Sequence, residues 1–174
     1  MSLSLQSTDF ELFDVPVRFV QESSALDARW KELQREAHPD RFAAQGGAAQ
    51  RMAMQWSVRI NEAYQRLKNP LRRAAYLCEL HGAPIRAEDN TAMPGPFLLQ
   101  QMEWRETLDD AHSLQQVDLL AGVVEQARLA TLARCGELID QSQDFPGAAQ
   151  QVRALMFIER FAQSVADRQD QLGQ

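Results

Sequence analysis

Apolar residues recur at helical spacing along most of the chain, and no segment sustains the alternation of a strand. After a short segment, DFELFDVP, Ser23 and Ser24 supply candidate N-caps for a helix running to about Ala37. Leu26, Trp30, Leu33 and Ala37 follow i, i+4, i+7 and i+11, which places them on one buried stripe. Pro39 stops this helix, because its ring disfavours helical geometry in the residue before it and it has no amide hydrogen. A loop is expected to continue through Gly46 and Gly47. A second long helix is predicted from about Ala48 to Leu67, with Ala49, Ala53, Trp56, Ile60, Ala63, Tyr64 and Leu67 on one side. The two helices form a hairpin whose exposed tip is His38-Pro39-Asp40.

Asn69-Pro70 punctuates, and PLRRAAYLCELHG reads as a short helix ended by Gly82. The stretch APIRAEDNTAMPGP, rich in proline, reads as a linker. Beyond it lie three helical patterns, at about 96–111, 114–142 and 147–171, whose short connections suggest a three-helix bundle. The predicted fold is all-α: residues 8–82 hold the helical hairpin, 83–95 the linker and 96–174 the bundle.

The first bundle helix carries two apolar faces. Phe97, Trp104 and Leu108 cluster on one side, while Leu98, Leu99, Met102, Glu103 and Glu106 point roughly 170° away on a helical wheel. On the last helix Leu155, Ile158, Ala162 and Val165 form a core stripe, and Phe157 points off it. Such a spare face is a partner-binding patch, or it marks a helix apolar all round because it is central; periodicity leaves both open.

Charge separates the halves. Residues 1–80 carry 11 Lys+Arg against 10 Asp+Glu, a balance of +1, and residues 81–174 carry 7 against 14, a balance of −7. Neither half has the basic excess that phosphate binding needs, so nucleic acid is not an expected target. Two distant cysteines, Cys78 and Cys135, make no disulfide framework and fit a reducing compartment. The amino terminus does not read as a leader, and no apolar run approaches the roughly 20 residues of a membrane span, so a cytoplasmic protein is expected.

His38 beside Asp40 invites an acid–base reading, but no nucleophile elbow, phosphate loop or HExxH pair accompanies it. Cys78 and His81 have C-x2-H spacing, short of the four ligands of a zinc site. In isolation the tripeptide reads more often as a helix stop followed by a turn. Its surroundings say more: Lys31, Arg35 and the direction of His38 fall within about 60° on the side opposite the apolar stripe, and Arg41 follows. The result is a basic strip leading to a rigid loop, suited to docking on an acidic protein surface or, with Glu32 and Glu36 alongside, simply a solvated charged face.

Residues 9–81, with the basic helix, HPD and INEAYQRLKNP, resemble a J-domain. The resemblance implies that Lys31, Arg35, His38, Pro39, Asp40 and Arg41 contact a DnaK-type ATPase chaperone and stimulate ATP hydrolysis there, the chain itself having no catalytic residue. It lacks the Gly/Phe-rich segment and CxxCxGxG repeats of general DnaJ-type proteins. With NPLRRAAYLCELHG and a helical second half, nearly the whole chain is similar to HscB-type co-chaperones of iron–sulfur cluster assembly. That family implies an HscA-type chaperone and an IscU-type scaffold as partners, with no cofactor or metal of its own. FLLQQMEWRETLDD carries the scaffold-binding role to Leu98, Leu99, Met102, Glu103 and Glu106, and ALMFIERF carries it to Phe157. The sequence departs at HPDRF, with Arg for the usual Lys, and has no amino-terminal cysteine pairs. The alternative is a J-domain co-chaperone for a different client.

Overall fold

The computed structural model describes residues 2–174, which are all-α, and no helix among them is long and apolar enough to cross a membrane. The chain divides into two compact units, Met1–Tyr76 and Leu77–Gln174.

In the first unit α1 (Asp9–Phe13) is started by a reciprocal cap, in which Thr8 Oγ1 accepts the Glu11 amide and the Glu11 carboxylate accepts the Thr8 amide. Its Phe10, Leu12 and Phe13 are buried against α2 (Ser23–Ala37) and α3 (Gly47–Lys68). The α2 cap differs from the expected serines. Glu22 holds the cap position without a side-chain bond, Ser23 is already helical, and its hydroxyl accepts the Lys68 ammonium at 2.7 Å.

The stripe between α2 and α3 is narrower than periodicity suggests. Leu26, Leu33, Ala53, Ile60, Ala63 and Leu67 are buried, whereas Trp30, Ala37, Ala49, Trp56 and Tyr64 are half-buried. Rings with a polar end settle at the margin, where one edge stays wet. Trp30 stacks on Tyr64 with ring centres 5.0 Å apart, and its Nε1 donates to Asn61 Oδ1.

One buried charge organises this unit. The Asp9 carboxylate is inaccessible to solvent, takes Arg59 Nη2 at 2.7 Å and Arg66 Nε at 2.5 Å, and so ties α1 to α3. Arg59 also donates to the carbonyls of Leu5 and Ser7, which gives the residues before α1 a fixed course.

Asn69 ends α3 and its Oδ1 accepts the Arg72 amide to begin α4 (Pro70–Leu80), with Pro70 where a missing amide hydrogen costs nothing. Helix α4 closes as expected at Gly82, whose φ of 79° is left-handed. Gly82 N donates to Glu79 O and Ala83 N to Cys78 O.

The second unit contains α5 (Gly95–Asp110), α6 (Leu114–Asp140) and α7 (Phe145–Leu172). Ser113 and Gln116 form a capping box for α6. Asp144 caps α7 by accepting the Gly147 amide, so the last helix starts at Phe145, two residues before the expected 147. Val117, Leu120 and Val124 of α6 meet Ile158, Phe161 and Val165 of α7, and α5 adds Phe97 and Trp104 to the same core. The proline-rich stretch before α5 is fastened within this unit. Ile85 is buried, and the buried Arg153 of α7 donates Nε to Ile85 O at 2.9 Å and Nη1 to Ala92 O at 3.0 Å.

Candidate functional site

Two surfaces, one in each unit, carry the residues singled out by the sequence. In the first unit His38 ends α2 in extended geometry, and Pro39–Gln45 form a 3-10 helix where a loop is expected. Proline at its first position fixes φ and needs no amide partner. His38 caps it: the Asp40 amide donates to His38 Nδ1 at 3.2 Å and the Arg41 amide to His38 O at 3.0 Å. The Asp40 side chain is 91% exposed, and its carboxylate lies 3.6 Å from His38 Nδ1, a distance that becomes an ion pair only with the ring protonated. The tip therefore offers fixed shape and an unneutralised carboxylate to an approaching surface.

The end of α2 is tied down from two directions. Arg41 Nη1 donates to Arg35 O at 3.2 Å, and Ser57 Oγ of α3 donates to Ala37 O at 3.3 Å. Gln34 Nε2 bridges to Ser57 O and Asn61 Oδ1. Lys31, Arg35 and Arg41 are exposed, with Arg41 drawn back over the helix it follows. Ser57 and Asn61 escaped the sequence reading. Their signal is a polar i, i+4 pair beside the apolar stripe of α3, opposite Trp30 and Gln34.

In the second unit α5 turns Phe97 and Trp104 inward, 8% and 4% exposed, and leaves Leu98, Leu99 and Met102 outward at 50%, 67% and 63%. Glu103 and Glu106 are exposed beside them. Phe157 of α7 stands apart from this group. It is half-buried, edge-on to Phe97 with centres 5.7 Å apart and stacked on Phe161 at 6.1 Å. Truncating it removes core packing as well as surface.

Cys78 and His81 both lie against Phe145, but through different groups. Cys78 Sγ lies 3.7 Å from Phe145 O, while the His81 ring lies flat on Phe145 and its Nδ1 is 2.8 Å from Leu77 O. Among the described residues no group of three or more His, Cys, Asp or Glu side chains could hold a metal ion. Burial raises the Cys78 thiol to about 11 and the Cys135 thiol to about 12. An unfolded cysteine ionises near 8.5, so above about pH 9 the unfolded chain binds fewer protons and stability falls as pH rises toward 11. A thiol reagent at pH 8 is expected to find neither cysteine in the folded protein and both after denaturation. Rapid native labelling would refute their burial.

The family described as the HSCB C-terminal oligomerisation domain matches residues 93–166. Over 173 residues and 98% of each chain, the sequence is 47% identical to the co-chaperone protein HscB homolog of Burkholderia multivorans and 46% identical to that of Burkholderia mallei. Among solved structures, chaperone HscB from Vibrio cholerae gives a TM-score of 0.79 at 35% identity, covering 95% of this chain and 99% of that one. Human co-chaperone protein HscB shares the fold, with a TM-score of 0.87 at 24% identity over 97% of this chain and 85% of the human one.

Proposed function

The chain belongs to the family of HscB co-chaperones, and from that premise we propose that it is a cytoplasmic adaptor between an IscU-type iron–sulfur scaffold and an HscA-type ATPase chaperone. Its second unit holds the scaffold through Leu98, Leu99, Met102, Glu103, Glu106 and the exposed edge of Phe157. Its first unit presents His38, Pro39 and Asp40, with Lys31, Arg35 and Arg41 alongside, to the chaperone and stimulates ATP hydrolysis there. The observation that carries the reading is the division of α5, which sends two aromatic rings inward and three large apolar side chains into solvent. Two acids rim that apolar face, the make-up of a patch that recognises a partner of opposite charge.

No bond is made or broken in this chain. The basic strip of α2 steers the tip onto an acidic surface of the chaperone, and the rigid 3-10 turn delivers Asp40 without an ordering cost at the moment of docking. Holding the scaffold on the same chain raises its concentration at the chaperone with no new contact required.

The test is calorimetric titration of an IscU-type scaffold into Leu98→Ala/Leu99→Ala. Both side chains are at least half exposed, so the thermal midpoint stays put while affinity drops by about tenfold or more. Unchanged affinity would remove the patch from the scaffold interface. Phe157→Ala is less decisive, since its stacking partners make it lose stability as well.

A further inference from the structure

Helix α5 lies against the α6–α7 pair, and on its α6 side it leaves a groove of about 620 Å³ floored by Trp104 and Leu120. The α6 wall is Leu119 and Val123, one helical turn apart, 69% and 50% exposed. The α5 wall carries Gln100, Glu103 and, toward its end, Asp110. Large apolar side chains this open, lining a concavity over a buried tryptophan, are the usual form of an unoccupied recognition surface.

Two observations identify the occupant. The groove is continuous with the face already described, because Gln100 and Glu103 also line the depression around Leu99. A partner seated on Leu99 and Met102 that wraps toward α6 meets Glu103 next and then Leu119. The charge agrees: residues 81–174 have a balance of −7, and the groove's rim is acidic, so the occupant presents an apolar ridge flanked by basic side chains.

We propose that the scaffold's footprint extends across Glu103 onto α6, with Leu119 and Val123 forming a second apolar contact. This deepens the scaffold reading and rests on it. Area supports the extension: α5 alone offers a narrow ridge, whereas stable protein interfaces enlist about 20–30 residues on each side.

The experiment compares Leu119→Ala/Val123→Ala with Leu98→Ala/Leu99→Ala in calorimetry against an IscU-type scaffold. The α6 variant is expected to bind about tenfold more weakly, with chaperone stimulation in the absence of scaffold unchanged. Full affinity in the α6 variant, with loss in the α5 variant, overturns the extension and leaves the α5 patch standing. Full affinity in both overturns the underlying reading. A benzophenone maleimide on Leu119→Cys reports the occupant directly, since both native thiols are buried. Cross-linking to the scaffold supports the proposal, and cross-linking to a second copy of this chain overturns it.

Discussion

Asp40→Asn is expected to abolish stimulation of an HscA-type ATPase while leaving scaffold binding untouched. The substitution keeps the size and shape of the side chain and removes only its charge. Inside the protein that charge does little: the carboxylate is 91% exposed, and the bond that shapes the turn comes from the Asp40 backbone amide to His38 Nδ1. Asparagine retains that amide, so α2, the 3-10 turn and α3 stay as they are. What disappears is an acceptor for a cation on the chaperone. Loss of one member of a desolvated interfacial charge pair costs on the order of 2–5 kcal/mol, enough to cut stimulation more than about thirtyfold. Steady-state ATPase turnover at a concentration that half-saturates stimulation by the unmodified chain, beside calorimetry with the scaffold, reads both halves of the prediction. Stimulation within about twofold of the unmodified chain would refute the tip as the chaperone contact.

The converse behaviour is expected of Asp9→Ala, which lies far from the tip in sequence and makes no surface contact. Its carboxylate is fully buried between two guanidiniums whose side chains are only 14% and 30% exposed. Removing it leaves two like charges confined together with no anion between them. Breaking a buried ion pair in this one-sided way costs on the order of 3–5 kcal/mol. Arg59 also loses the anchor that aims it at the carbonyls of Leu5 and Ser7, so the strap before α1 loosens with it. Denaturant unfolding is expected to show the first unit melting at much lower denaturant and the second keeping its own transition. Chaperone stimulation then falls through unfolding, and scaffold affinity holds. A variant with an unshifted first transition would show that the clamp adds nothing net.

Both long helices of the first unit, and the three of the second, could be traced in the sequence because each repeats its apolar pattern over several turns. The two faces of α5 were legible for the same reason, since Phe97 and Trp104 fall on one side and Leu98, Leu99 and Met102 on the other. Features set by long polar side chains were not. Arg153 fastens the stretch around Ile85 and Ala92 from 68 and 61 residues away, and no local pattern there announces a guanidinium arriving from another helix. Asp9 reads in sequence as one acid in a polar amino terminus, and only Arg59 and Arg66 on α3 make it a buried hub. The turn after His38 reads as a loop in sequence because only proline's effect on the preceding residue is visible there, whereas the cap that continues the chain as a 3-10 helix comes from an imidazole nitrogen. Ser57 was overlooked because its role is to satisfy a carbonyl at the end of a different helix.

The two thiols bear on the proposed role beside an iron–sulfur scaffold. Iron–sulfur clusters are traded between thiolates, and any surface cysteine near the exchange is a competing acceptor. In this chain both sulfurs lie inside, and burial keeps their protons on throughout the physiological range. In the proposed role, the chain stands next to a cluster-bearing scaffold without offering a surface thiolate that competes for the cluster.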